Sequence, residues 1–143
     1  MESKIDKALQ HLLKLGVEAK TLWTNAKPSS SFAAQTLTLT GGSKYDAILA
    51  ECLPGVNDST DINGTLVPIL IIKNHKNYLN YIAKTDTEET VAEMRSRSIK
   101  FANGNVTFAK AYGFSIASVS RSVRLDYIIP IRIIGIKLLG GGV

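Results

Sequence analysis

Cysteine and histidine are scarce in this chain, which has one cysteine and two histidines among 143 residues. Cys52 has no partner for an internal disulfide, and its place in the apolar run 47–53 predicts a buried, inert thiol. His11 falls in a predicted helix and His75 in a predicted turn, so the sequence offers no cluster of soft ligands for zinc. We therefore predict no metal site and no cofactor.

Recognisable catalytic motifs are missing as well. The sequence has no G-x-S-x-G nucleophile elbow, no Walker loop and no dinucleotide fingerprint. Residues 58–64 are similar to a calcium loop, but with Gly64 at the sixth position the twelfth is Leu70, where a carboxylate belongs. The acids of the connector 84–90 lie in a hydrophilic stretch. We predict that the protein is not an enzyme, with a small hydrolase whose carboxylate pair is assembled by the fold as a weaker alternative.

Long apolar runs and blocks of charge are absent too. The longest aliphatic stretches, such as residues 67–72, are too short to span a bilayer, and the charged first residues predict no signal peptide. The net charge is +5, but the basic residues are scattered along the chain. Six of them lie on the predicted strands between residues 91 and 127: Arg95, Arg97, Lys100, Lys110, Arg121 and Arg124. Several of these can form a basic face for acidic sugars or phosphates, although an ordinary solvated surface is the simpler interpretation.

An apolar stripe marks the beginning of the sequence. Its residues recur at steps of three and four and predict an amphipathic helix over residues 3–15, within an N-terminal segment 1–16. Ile5, Leu9 and Leu12 have the spacing of a coiled-coil seam, so they are candidate oligomerisation residues. The same stripe can equally dock on the protein's own sheet.

The rest of the chain has the alternation of short strands separated by turns, which predicts a mainly β module over residues 17–139 and a loose tail over 140–143. We expect an antiparallel β-sandwich of jelly-roll-like form. The predicted strands are 21–24, 36–40, 45–53, 66–73, 78–84, 91–102, 105–111, 118–127 and 131–138. The last strand is predicted to begin just after Pro130, because proline cannot donate to a ladder. Residues 74–77 are predicted to form a turn.

The strongest local signal is Asn103-Gly104, a dipeptide typical of a two-residue type I′ hairpin turn. Counting outward from the turn pairs Lys100 with Thr107 on one face of the hairpin. Four large apolar side chains then share the other face: Ile99, Phe101, Val106 and Phe108. Nucleic-acid binding would need aromatic rings among the cations, so this register predicts no nucleic-acid partner.

Exposed tyrosines are candidates for sugar contacts, because an aromatic ring offers an apolar surface beside a polar hydroxyl. Tyr78, Tyr81 and Tyr112 are the candidate ligand residues. Packing in the core or at its rim is the alternative for each. Since Tyr78 and Tyr81 are three positions apart, a regular strand would place them on opposite faces.

Residues 22–36 and 129–137 have sequences similar to segments of known proteins, and Tyr45-Asp46 and residues 97–101 fit the same similarity. These segments resemble parts of small β-rich structural modules found in the tail and fibre proteins of tailed bacteriophages. The resemblance covers roughly residues 22–137 and implies a location in the virion. It brings no set of ligand-binding residues.

The expectation is therefore a non-enzymatic bacteriophage virion protein, a component of the tail, a fibre or the head surface that is made in the host cytoplasm. We expect it to form a homo-oligomer, a trimer, to contact other virion proteins, and to contribute to host attachment. The alternative is a carbohydrate-binding module for bacterial envelope glycans. Neither a membrane nor a nucleic acid is an expected partner.

Overall fold

A computed structural model describes residues Ser3, Lys4 and Lys7 and the ranges 16–55, 66–84, 92–115 and 120–138. In these ranges nine strands form two antiparallel sheets, which confirms the mainly β, antiparallel class. The strands are β1 (Val17–Thr24), β2 (Gln35–Thr38), β3 (Ala47–Gly55), β4 (Val67–Ile72), β5 (His75–Lys84), β6 (Ala92–Ala102), β7 (Asn105–Ser115), β8 (Arg121–Val123) and β9 (Tyr127–Leu138). A single 3-10 turn (Gly42–Lys44) precedes β3.

The four-stranded sheet has the order β1-β9-β3-β4, and the five-stranded sheet has the order β2-β7-β6-β5, with β8 also paired to β7. The chain passes from one sheet to the other between Ile72 and His75. Asn74 adopts a positive φ of 65° in this short connection. The predicted turn over 74–77 was therefore wrong in extent, because His75 to Asn77 already pair with β6 as part of β5.

The core consists of the inward-facing side chains of both sheets. In β3 every second residue is buried, the alternation expected of a strand with one face on a core. One cluster joins buried residues of the four-stranded sheet, such as Ile48 and Ile133, to residues of the five-stranded sheet, such as Leu79 and Phe108. Cys52 belongs to this cluster and is fully buried, which confirms the predicted environment of its thiol.

The hairpin predicted at Asn103-Gly104 is confirmed. Both residues have positive φ values, 54° and 74°, as a type I′ turn requires. Lys100 pairs with Thr107, and the register places all four apolar side chains of the other face in the core. These side chains are at most 1% exposed: Ile99, Phe101, Val106 and Phe108.

The closing strand β9 begins at Tyr127, three residues before Pro130, so the predicted start was wrong. Opposite it in β3, Glu51 pairs with Arg132 whereas the next residue, Cys52, pairs with Pro130. One extra residue in β9 therefore makes a bulge beside the proline, a place where a strand tolerates a missing N–H donor. The strand predicted over 118–127 was also too long, because β8 is only Arg121–Val123 and Tyr127 already belongs to β9.

Several predicted segments fall outside the residues that the structure describes. These include Ile5, Leu9 and Leu12, the calcium-like segment 58–64, connector residues 85–90 and the tail 140–143. Within the predicted N-terminal helix, the Lys7 N–H donates to the Ser3 carbonyl oxygen at 3.2 Å, but the helix as a whole is not shown. The division at residues 16 and 139 stays a prediction.

Candidate functional site

A β-bulge in β7 decides which of its side chains face outward. Ile99 of β6 pairs with Phe108, but Arg97 pairs with Ala111, so β7 places two residues opposite Ser98 where β6 has one. An extra residue of this kind reverses the alternation of a strand beyond it. Bulges of this type commonly redirect side chains next to binding sites.

The reversed alternation brings small residues inward and aromatic residues outward in the second half of β7. Ala111 and Gly113 are buried, while Tyr112 and Phe114 lie on the outer face of the five-stranded sheet. A Cβ atom on Gly113 would lie 2.9 Å from the Tyr127 ring, so this position has no room for a larger side chain. Without the bulge, the even-numbered alternation that buries Phe108 would turn Tyr112 toward the core.

Two serines of β6 form the floor of a groove on this outer face. Ser96 pairs with Tyr112 on one side, and Ser98 pairs with Tyr78 on the other. Small side chains on the central strand, flanked by large ones on its neighbours, leave a depression of about 370 Å³. We call this depression the outer groove. Its lining also includes Phe114.

Three cations line the outer groove: Lys76, Lys110 and Arg121. The Arg121 Cζ lies 3.6 Å from the centroid of the Tyr112 ring, within the range of a cation–π contact. The Lys76 Nζ lies 5.1 Å from the centroid of the Tyr78 ring. No carboxylate is among the described residues that line the groove. Its lining is therefore positively charged, with aromatic rings beside the charges.

Two of the three candidate ligand tyrosines meet in the outer groove. Tyr78 is 56% exposed, and Tyr112 is half-buried across the sheet from it. Tyr81 lies on the same face of β5 as the buried Leu79, which is the face opposite to that of Tyr78, as the three-residue spacing predicts. A ligand role for these tyrosines stays a prediction. Phe114 and the two serines were not among the candidates. The serines face outward by the alternation of β6, but only the bulge turns Tyr112 and Phe114 toward the same face.

The predicted basic face is formed only in part. Lys100, Lys110 and Arg121 are exposed, and each follows the outward alternation of its strand. Arg95 and Arg97 instead point inward and are at most 1% exposed, so their assignment to a basic surface was wrong. Both arginines have the same odd-numbered alternation as the buried Ile99 and Phe101 in β6. The small residues Gly113 and Ala111 lie opposite them in β7.

Arg97 is held by backbone carbonyl oxygens. Its Nη2 donates to the carbonyls of Phe32 at 2.8 Å and Tyr127 at 3.2 Å, and its Nη1 donates to that of Ala109 at 3.1 Å. Burial lowers the pKa of Arg97 to about 10, and the nearby Cys52 acts in the opposite direction. The guanidinium remains charged at neutral pH and joins three separate parts of the chain.

A second buried group surrounds Tyr127 at one end of the two sheets. Arg95 and Arg124 lie 4.1 and 4.2 Å from the centroid of its ring. The Arg95 Nε donates to Glu93, and Arg124 forms an ion pair of 2.9 Å with Asp126. Burial, and then a hydrogen bond to Glu93, raises the pKa of Tyr127 to about 12. These groups are arranged as a structural network around a neutral phenol.

The outer face of the four-stranded sheet is apolar. Its rows pair Leu49 with Leu70 and Ile134, and Ala47 with Ile72 and Ile136. Leu70, Ile72 and Leu138 are 50 to 59% exposed. We call this surface the apolar face and define it by these side chains: Leu49, Leu70, Ile72, Ile134, Ile136 and Leu138. The charged residues Glu51 and Arg132 form an ion pair of 2.7 Å at its border.

No protein-family model matches the chain, and no curated protein matches it significantly. The described residues contain no group of three His, Cys, Asp or Glu side chains placed to hold a metal ion. In the same ranges, no helix is long and apolar enough to cross a membrane.

Proposed function

We propose that this chain is a non-enzymatic structural protein of a bacteriophage virion that assembles as a homo-oligomer and contributes to host attachment. The observation that carries the proposal is that the segments resembling phage tail and fibre modules meet in the fold. Asn25 of one segment and Pro130 of another are 105 positions apart in sequence, yet they are hydrogen-bonded to each other at the closing strand β9.

The contacts between these segments are direct. Within them, Trp23 of β1 pairs with Ile133 of β9. Asn25 donates from its backbone N–H to the carbonyl of Ile131, and from its side-chain nitrogen to that of Pro130, both at 2.8 Å. Arg97, in the segment 97–101, donates to the carbonyl of Phe32, in the segment 22–36. The resemblance thus concerns residues that hold the architecture together, which supports a jelly-roll-like sandwich with a structural role.

The apolar face supports assembly. Large side chains such as Leu70 and Ile72 are exposed on it side by side, and contiguous exposed apolar surface is typical of an interaction site. Sister chains in a closed ring would bury the same surface on every copy. We propose a trimer in which the apolar face of each chain packs against the neighbouring chain. Other virion proteins would contact the remaining surface of the trimer.

Two measurements test this proposal. Light scattering of the purified chain at micromolar concentration should give about three times the 15.5 kDa mass of one chain. A single-chain mass would overturn the assembly. The coding sequence should also lie among tail or capsid genes, and a location inside an operon of metabolic enzymes would overturn the virion role.

A carbohydrate-binding module for bacterial envelope glycans is the second candidate function. It is favoured by the outer groove, where the exposed Tyr78 and the hydroxyls of Ser96 and Ser98 lie together. Sugar sites combine an apolar ring surface with hydroxyl-binding groups in this manner. A glycan array separates the candidates, because a purely structural subunit should show no saturable binding.

A further inference from the structure

We infer that the outer groove binds an acidic saccharide, with the anionic group of the ligand against Arg121 and the sugar ring against Tyr78. This inference rests on the carbohydrate-binding candidate and adds the class of ligand and its place on the fold. It is carried by three features of the groove: its charge, its aromatic residues and its small floor.

The charge of the groove favours an anion. Lys76, Lys110 and Arg121 all line the depression, and no carboxylate is present in the described part of its lining to neutralise them. Lys100 adds a fourth cation on the same face, because it is exposed directly opposite Lys76 in the neighbouring strand. Like charges held this close repel each other, and a bound anion would relieve that repulsion.

Arg121 is the best placed of these cations. Its Cζ lies 3.6 Å from the Tyr112 ring centroid and 5.6 Å from that of Phe114, so two rings restrict the guanidinium. No carboxylate in the described ranges pairs with it. A guanidinium presents N–H donors whose spacing matches the two oxygens of a carboxylate or the oxygens of a phosphate. Tyr112 thus acts as a positioning residue for Arg121.

The remaining lining suits a sugar ring. Tyr78 is 56% exposed at the other side of the groove and offers an apolar surface. Between the two tyrosines, Ser96 and Ser98 have hydroxyls that both donate and accept hydrogen bonds, as sugar hydroxyls do. The volume of about 370 Å³ is at the lower end of the range for small-molecule sites. A ligand of one or two rings is therefore favoured over a long polymer such as single-stranded DNA.

The experiment is a calorimetric titration of the full chain at low salt with four probes: digalacturonic acid, glucose 6-phosphate, maltose and inorganic phosphate. We expect saturable binding of at least one of the two acidic sugars, at least tenfold tighter than binding of either maltose or phosphate. Binding should weaken as salt is added, because screening acts on the charge pairs. Which acidic sugar binds more tightly identifies the anionic group, carboxylate or phosphate.

Three variants locate the binding. Arg121→Gln should weaken binding of the acidic sugar at least tenfold, and Ser96→Phe should abolish it by filling the floor of the groove. The matched control is Lys20→Gln, which removes the same charge from an exposed position on the four-stranded sheet and should leave binding unchanged. Thermal unfolding of each variant confirms that it is folded, and Arg121→Gln is at an exposed position where the fold should persist.

Other outcomes overturn the inference in distinguishable ways. Equal binding of maltose would overturn the acidic class but leave carbohydrate binding in place. Equal binding of inorganic phosphate would show an anion site without sugar recognition. A separate titration with oligo-dT tests a nucleic acid, and tighter binding of oligo-dT than of either acidic sugar would replace the saccharide with a nucleic acid. Saturable binding to none of these probes would overturn both the inference and the carbohydrate-binding candidate.

Discussion

Arg97 is a charged side chain in the centre of the core, and its energetics depend on carbonyl oxygens. Removing a guanidinium from water is costly unless its donors find acceptors. Here three backbone carbonyls accept from Nη1 and Nη2, while Nε has no hydrogen-bond partner in the described residues. Outside the strands, the Phe32 N–H also donates to the Leu125 carbonyl at 2.8 Å, so the arginine reinforces a junction between distant parts of the chain.

We predict that Arg97→Met lowers the free energy of unfolding by about 3–5 kcal/mol, because it leaves buried carbonyl groups without donors. Urea unfolding at neutral pH, followed by circular dichroism, measures this change. The control is Arg132→Met, whose partly exposed ion pair with Glu51 should contribute less than about 1 kcal/mol. Equal unfolding midpoints for the two variants would contradict the structural role of Arg97.

Cys52 provides a prediction about pH. Burial raises the pKa of its thiol from 9.0 to about 12, with Arg97 acting in the opposite direction. A raised pKa means that the folded state holds the proton more tightly than the unfolded state. The contribution of this thiol to the free energy of unfolding is therefore fully present below pH 9 and is lost as the pH rises from 9 to 12.

Two measurements check the behaviour of Cys52. In the native protein at pH 8 the thiol should not react with a disulfide reagent, whereas in urea it should react completely. Cys52→Ala should also lose less stability than the unmodified chain between pH 9 and 12. The comparison isolates Cys52 from Tyr127, whose pKa is raised as well. Rapid labelling of the folded chain at pH 8 would show that the thiol is accessible.

Among the elements, the β6–β7 hairpin depends on its turn. Gly104 has a φ of 74°, and a Cβ atom there would lie 2.8 Å from the backbone nitrogen of Ser43. The turn therefore has a left-handed backbone and is also packed against the segment before β3. Any L residue at this position meets both the conformational cost and a backbone contact that cannot move easily.

We predict that Gly104→Ala destabilises the fold by about 1–2 kcal/mol from the left-handed conformation, with a further loss from the contact with Ser43. Asn103→Gly is the matched control, because glycine also adopts a positive φ and should change stability little. Thermal unfolding of the two variants measures the difference. A Tm for Gly104→Ala equal to that of Asn103→Gly would contradict the close packing of the turn.

The bulge in β7 shows how one residue changes the chemistry of an element. The pairs nearest the turn, such as Phe101 with Val106, follow from the sequence by counting. Farther along, the extra residue opposite Ser98 moves Tyr112 from the core face to the solvent face. No local motif in the sequence marks this position, so the outward direction of Tyr112 and Phe114 was not predictable by counting, whereas Ser96 and Ser98 share the outward alternation of Lys100.

At the scale of the whole molecule, the two sheets have outer faces of different chemistry. The five-stranded sheet presents the cationic outer groove, and the four-stranded sheet presents the apolar face. We propose that the first surface binds a ligand while the second is buried between sister chains. This separation would leave the outer groove open in the assembled protein.

The assembly predicts that Ile72→Lys lowers the oligomeric mass toward that of a single chain without unfolding it, since Ile72 is 57% exposed. Tyr78→Lys introduces the same charge at a similarly exposed position, 56%, on the other sheet and should leave the mass unchanged. Light scattering gives the mass, and circular dichroism gives the fold. An unchanged mass for Ile72→Lys would place the interface elsewhere, and a monomeric unmodified chain would overturn it.

Properties that arise from neighbours along the chain could be predicted before the structure was known. Alternation predicted the antiparallel β class, and Asn103-Gly104 predicted a hairpin in its correct register, because both depend on residues only a few positions apart. Burial of Cys52 followed from the apolar run around it. The spacing of Tyr78 and Tyr81 likewise predicted that they lie on opposite faces.

Which distant residues share a surface depends on how the strands pair in the fold. The inclusion of Pro130 within β9 and the meeting of Tyr78 with Tyr112 each depend on a bulge or a pairing between distant strands. The carbonyl acceptors of the buried Arg97 likewise come from distant parts of the chain. A strand has a side-chain period of two, so a single extra residue exchanges its core and solvent faces. Packing across both sheets decides where that residue is inserted, and a short stretch of sequence carries no information about that packing.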